Sequence, residues 1–250
     1  GGAIPAVFWA PLMAELSGHT LYAIELPGNG LTDRARYHHA TFRRTAVAYL
    51  ADILDALDIG PGPFVTQSMG SLWTTWLAWE QPGRVRSQVM IACPAFFLDT
   101  SAILPWRLVS IPALGKLLLS LQKPSVKGAE QIIRMVGEDP AGLDEIRDVM
   151  VAGQRMPHRR QDLVELMRSV MSWTRPRPEV AVTAALLRTI THPVRLIWGE
   201  QDGFGSPDAG RRAVEHMPDA DLHVMPGGHA PWLHGGEQVA ALTHEFLDTH

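Results

Sequence analysis

The chain has 250 residues, 46% of them hydrophobic and 19% charged, with a formal net charge of -4. It can therefore bury a full core as one globular domain with room for an inserted lobe, and its lack of long like-charge blocks removes the electrostatic footprint of a nucleic-acid or acidic-membrane binder. The single cysteine, Cys93, excludes an internal disulfide and any multi-cysteine metal site, and fits a reducing, cytoplasmic setting.

No basic stretch followed by an apolar stretch opens the chain, so no secretory signal is expected. Thr20 to Leu26 reads as a buried strand that stops at the loop Pro27-Gly28-Asn29-Gly30. A helix follows Thr41, a candidate N-cap, and carries Val47, Leu50, Leu54 and Leu57 at helical spacing until Gly60 and Pro61. Phe64 to Gln67 is a short strand, Leu72 to Trp79 is helix-like, and Gln88 to Cys93 is a further apolar strand closed by Pro94. From about Ala95 to Thr191 strand signals vanish, and prolines cut the sequence into leucine- and methionine-rich helical pieces, the pattern of an inserted cap. Its most apolar window, Ile103 to Leu121, is interrupted by Pro105, Arg107, Pro112 and Lys116, short of the roughly 20 apolar residues of a membrane span. Arg159 and Arg160 are the nearest thing to a basic cluster and read as a solvated face. Val194 to Gly199 and Leu222 to Met225 are strands, with a helix around Ala209 to His216 between them and a last helix from Glu237 to Leu247.

Strands alternating with helices on both sides of the insert imply a mostly parallel sheet flanked by helices. The expected division is 1–94 and 192–250 for the α/β core and 95–191 for the helical cap.

Chemistry enters at Thr66-Gln67-Ser68-Met69-Gly70, where a strand passes into a helix through one tight turn. Such a turn strains its central residue and projects that side chain outward. Gly70 meets the need for a small neighbour; Thr66 stands where G-x-S-x-G has a glycine, so the match is partial. Taken alone, a serine between a strand and a helix is more often a turn or N-cap residue. Two further segments follow in the order nucleophile, acid, histidine: Asp202 beyond the strand Val194 to Gly199, and His229 beyond the next, in Pro226-Gly227-Gly228-His229-Ala230-Pro231-Trp232. A serine hydroxyl needs a base to take its proton, and the base needs a carboxylate to set its tautomer. Both partners lie at strand C-terminal ends, the edge of a parallel sheet where ligands bind. Glu200, Asp208 and Asp99 are rival acids, and His229 is one of eleven histidines.

With these pieces in place the sequence resembles the α/β-hydrolase superfamily over nearly all of its length outside the cap. The resemblance rests on Gly1-Gly2, Phe8-Trp9-Ala10-Pro11-Leu12, Leu26-Pro27-Gly28-Asn29-Gly30-Leu31-Thr32-Asp33, Gln67-Ser68-Met69-Gly70, Trp198-Gly199-Glu200-Gln201-Asp202 and Gly228-His229-Ala230-Pro231-Trp232. It implies Ser68 as nucleophile, His229 as base, Asp202 as orienting acid, and no cofactor. It also implies an oxyanion hole from the N–H groups of Met69 and Gly2, with Gly1 matching the glycine of the family's His-Gly-x loop. Family members place one more strand between those corresponding here to Thr20 to Leu26 and Phe64 to Gln67. The expectation is therefore that N-terminal strands precede this numbering, and that intact mass exceeds 27.5 kDa.

The implied activity is a serine hydrolase acting on a carboxylic ester or lactone of a hydrophobic small molecule. Met135, Met150, Met156, Met167, Met171, Trp106 and Trp173 in the cap, and Trp232 beside the histidine, are candidates to line its pocket, or simply to pack. Hydrolases of carbon–carbon bonds in ring-cleavage products look similar around Ser-Met-Gly and carry a tryptophan shortly after the histidine, but usually present asparagine where Gln67 stands. Dehalogenases and epoxide hydrolases use an aspartate nucleophile. His38-His39 lacks the spacing of a metal-ligand set. A reading outside catalysis is a small-molecule receptor that keeps the triad, separable by fast multiple turnover against one slow cycle with a ligand-dependent thermal shift. Oligomeric state leaves no sequence signal.

Overall fold

The computed structural model describes the chain except residues 1, 3, 35, 94–96, 98, 99, 101, 157 and 174. Gly1 and the rival acid Asp99 lie outside the described residues, as do Pro94 and Ala95, on which the end of the second core strand and the start of the insert fall.

In chain order, a short 3-10 turn leads into α1 (Ala10–Glu15), followed by α2 (Phe42–Ala56), β1 (Gly62–Gln67), α3 (Met69–Glu80) and β2 (Val85–Ile91). Then come α4 (Leu104–Val109), α5 (Pro112–Leu121), α6 (Val126–Met135), α7 (Asp144–Arg155), α8 (Arg159–Val170) and α9 (Ala184–Leu187). The chain returns through β3 (Val194–Gly199), α10 (Pro207–Val214), β4 (Ala220–Met225) and α11 (Trp232–Leu247). The four strands pair in parallel in the order β1-β2-β3-β4.

Strand alternation sets the two faces. Met90, Leu196 and Trp198 join the cluster built by Phe42, Leu50 and Leu54 of α2, Leu72, Trp73 and Trp76 of α3, and Ala209 and Ala213 of α10. Their neighbours Val89, Ile91 and Ile197 face the other way, onto Leu12 of α1 and Trp232, Val239 and Phe246 of α11. A parallel sheet covered on both sides reads as continuous apolar runs, as β2 and β3 do. Between β2 and β3 the prolines open helices: α4 and α5 each carry one in their first turn, where the missing N–H costs no hydrogen bond.

Two local expectations are corrected. Thr41 stands at the N-cap of α2, yet its side chain makes no capping bond; its hydroxyl reaches back to His38 O at 3.4 Å. More consequential, residues 20–26 are not a strand. They run without a ladder, and none of their N–H groups donates to another backbone group among the described residues. The reason is geometric. The free edge of β1 faces them across an apolar cavity of about 410 Å³, lined by Leu12, Leu26, Leu54, Phe64 and Trp73 among others. A strand needs a neighbour about 4.8 Å away, and no segment among the described residues pairs with 20–26 or with this edge of β1.

Candidate active site

β1 delivers Ser68 to the C-terminal edge of the sheet with φ 51° and ψ -115°, sparsely populated for a residue with a Cβ. Its surroundings over-determine that strain. Ser68 N–H is shared between Ile91 O at 3.3 Å and Ala92 O at 3.1 Å, and α3 begins immediately with Met69. Thr66, the non-glycine residue of the turn, is accommodated because its hydroxyl is bonded: it donates to Val89 O at 3.2 Å and lies 3.1 Å from Ser71 Oγ. Met69 opens α3, so its N–H has no intrahelical acceptor. Gly2 lies against Met69, since a Cβ on Gly2 would sit 3.1 Å from Met69 Cβ. The structure thus brings together Ser68, Met69 and Gly2.

Of the candidate acids among the described residues, Asp202 is the one brought to the histidine. His229 Nδ1 lies 2.9 Å from Asp202 Oδ2 and 3.0 Å from Oδ1, and the Asp202 side chain is fully shielded from solvent. Glu200 is exposed, and Asp208 pairs with Arg211 instead. Phe204 N–H donates to Asp202 Oδ1 at 2.8 Å, and the Phe204 ring packs against the imidazole with centroids 4.3 Å apart. An ionised Asp202 places the proton of a neutral His229 on Nδ1 and leaves Nε2 as the basic nitrogen. Ser68 and His229 are tied through the residue between them and the sheet: Gln67 Nε2 donates to His229 O at 3.0 Å. No direct hydrogen bond joins the two side chains among the described residues, a separation common in unliganded sites.

The pocket candidates separate. Trp232 and Met171 are sealed in the core, each 1% exposed. Trp232 stacks on Trp9 with ring centroids 4.8 Å apart and donates its indole N–H to Phe8 O at 2.9 Å, the partner a buried indole needs. Neither offers surface to a ligand. Trp106 and Met135 are half-buried, Trp106 packed against the core and the Met135 carbonyl pressed against Gly203. Cys93 is buried at the end of β2, where burial first and the Asp202 charge second push its thiol well above the usual range, so it is an inert core residue.

Sequence reasoning passed over Gln67, Phe204 and Glu138. Glu138 Oε1 accepts from Gly228 N–H at 2.8 Å and Ala230 N–H at 2.9 Å, on either side of His229. Burial raises its carboxyl pKa, and the two amides with His234 and His229 oppose the shift. It lies 90 and 92 residues before the two amides it binds, so it leaves no local signal.

Beside this strained serine at a strand-to-helix turn, with an acid and a histidine delivered by two later parallel strands, stands a match of one family's sequence pattern to residues 1–242. This chain belongs to the alpha/beta hydrolase family. The hydrolase is 28% identical over 235 residues to a 2-hydroxy-6-oxononadienedioate/2-hydroxy-6-oxononatrienedioate hydrolase of Burkholderia vietnamiensis, covering 92% of this chain and 77% of that one. It is 28% identical over 228 residues to a pimeloyl-[acyl-carrier protein] methyl ester esterase of Neisseria meningitidis, covering 90% and 82%. Among solved structures, a meta-cleavage product hydrolase of Pseudomonas fluorescens IP01 matches with TM-score 0.77 at 19% identity, over 99% of this chain and 88% of its own. Carboxylesterase CesB of Bacillus subtilis matches with TM-score 0.75 at 21% identity, over 100% and 82%. At these identities the structures speak for the fold. No helix among the described residues is long and apolar enough to cross a membrane.

Proposed function

We propose that this hydrolase cleaves a carboxylic ester or lactone of a hydrophobic small molecule through an acyl-enzyme on Ser68, with His229 as base, Asp202 as its orienting acid, and residues 95–191 as a cap over the site. The observation that carries this reading is the pairing of Asp202 with His229 Nδ1 at 2.9 Å beside a serine held at φ 51°. His229 Nε2 takes the Ser68 proton as Oγ attacks the carbonyl carbon. The N–H groups of Met69 and Gly2 receive the developing oxyanion, donors worth roughly 3 to 4 kcal/mol each in comparable sites. His229 then protonates the leaving alcohol, and water repeats the sequence on the acyl-enzyme.

Replacing Ser68 by alanine should abolish turnover of short p-nitrophenyl esters while leaving the circular dichroism spectrum unchanged; undiminished turnover would sink the assignment. A second reading, carbon–carbon bond hydrolysis of a ring-cleavage dienoate on the same residues, is favoured by the relative from B. vietnamiensis, whose name is that of such a hydrolase. Parallel turnover of p-nitrophenyl esters and of 2-hydroxy-6-oxo-6-phenylhexa-2,4-dienoate, with acyl-enzyme on Ser68 sought by mass spectrometry, separates the two. A slow single cycle on every probe, with a ligand-dependent thermal shift, would point instead to a receptor.

A further inference from the structure

Three consecutive amides of the histidine loop are satisfied by one short stretch of the helical insert. His229 N–H donates to Val136 O at 2.8 Å, and the N–H groups of Gly228 and Ala230 converge on Glu138 Oε1 at 2.8 and 2.9 Å. With Gln67 Nε2 on the carbonyl of His229, both backbone polar groups of that residue and the amides before and after it are held. Glu138 is 5% exposed, so its hydrogen bonds form away from competing water.

The stretch is also locked sterically to both catalytic loops. Gly137 has φ +87°, and a Cβ there would fall 2.0 Å from Gln201 O in the acid loop. A Cβ on Gly203 would fall 2.2 Å from Met135 O, and one on Gly228 would fall 2.4 Å from Val136 O. Residues 135–138 are therefore seated backbone to backbone on the loops that carry Asp202 and His229.

A loop that needed only its amides satisfied could use water. One oxygen bridging the two amides that flank His229 does more, because it sets the backbone angles from which the imidazole projects. We infer that Glu138, carried by the insert just beyond α6, is a positioning residue for His229, holding the histidine loop at the height from which Nε2 meets Ser68 while Nδ1 keeps Asp202. The inference rests on His229 being the base, as proposed above. It makes the insert part of the catalytic scaffold: a shift of residues 135–138 would move the base. Misplacement of a catalytic group by about 1 Å costs on the order of 100-fold in rate.

The test compares Glu138→Ala, Glu138→Gln and Glu138→Asp with wild type and Ser68→Ala, measuring kcat, KM and Tm on a short p-nitrophenyl ester. Glu138→Ala should lower kcat roughly 10- to 100-fold with KM nearly unchanged. Glu138→Gln keeps an oxygen at the same reach and should restore most of kcat. Glu138→Asp keeps the charge but withdraws the oxygen by one methylene, and should lower kcat again; it carries the test if the alanine variant does not fold. Wild-type kcat in the alanine or aspartate variant overturns the inference, as does a loss confined to KM, or a glutamine variant as slow as the alanine one. Because Ser68→Ala reports on the triad separately, turnover lost there but intact at position 138 rejects the positioning role alone. Turnover surviving Ser68→Ala rejects the underlying assignment.

Discussion

Around β3 and β4 the backbone packs against itself. Gly199 lies under the carbonyls of Gly227 and Gly228, Gly203 under Met135, and Gly137 under Gln201, with no room for a single added carbon. On the other side of the molecule, residues 20–26 pass the free edge of β1 across a cavity of about 410 Å³ and make no backbone ladder. Ser68 stands where the two regimes meet. Its turn is held from the tight side, through Ile91 O, Ala92 O and the Gln67 bond to His229, while Gln67 and Gly70 also border the cavity. A strained turn needs only one rigid neighbour, provided the strand behind it is paired on that side.

The strongest way to sharpen this contrast is at the tight end. Asp202→Asn preserves the packing beneath Phe204 but can present a donor to Nδ1, and should lower kcat roughly 10⁴-fold with the fold intact; a loss below tenfold would mean that the acid is elsewhere. Amide hydrogen exchange of the 250-residue chain comes next. The amides of 89–91 and 196–197 should exchange on the order of 10³-fold more slowly than those of 21–25. Equal protection would break the comparison and show that a strand pairs across the slot.

A pair of glycine substitutions asks the same question sterically. Gly203→Ala forces a carbon to within 2.2 Å of Met135 O and should cost about 1 to 3 kcal/mol in denaturant unfolding. Gly60→Ala, beside the cavity and with nothing within 4 Å of the new carbon, should stay within about 0.5 kcal/mol of wild type.

A pH-dependent effect lies at His192, just before β3, where burial lowers the imidazole pKa from 6.5 to about 4. The unfolded chain binds this proton first, so stability should fall as pH drops from 6.5 towards 4, and His192→Phe should flatten that part of the Tm-against-pH curve. An unchanged slope would remove His192 from the account of acid lability.

Much of this architecture was legible in the residues. Strands alternating with helices implied the parallel sheet, Pro105 and Pro112 marked helix starts, and Ser68, Asp202 and His229 follow strands whose C-terminal ends share one sheet edge. What composition left open has one cause. Thr20 to Leu26 has the composition of a strand, but a ladder is made by two strands and composition reports on one. For Trp232 and Met171 composition allowed both a pocket and packing, because the same apolar surface buries equally well against Trp9 or the core.

What the sequence by itself determined is therefore the class of fold and the strand ends at which Ser68, Asp202 and His229 stand, because strand and helix periodicity and the strand-to-helix turn are local properties. Only the tertiary structure decided which carboxylate meets His229, which tryptophan is sealed, and that Glu138 of the insert grips the amides on either side of the histidine. Those outcomes depend on distances between segments far apart in the chain, set by how backbones stack and not by the pattern of any one segment.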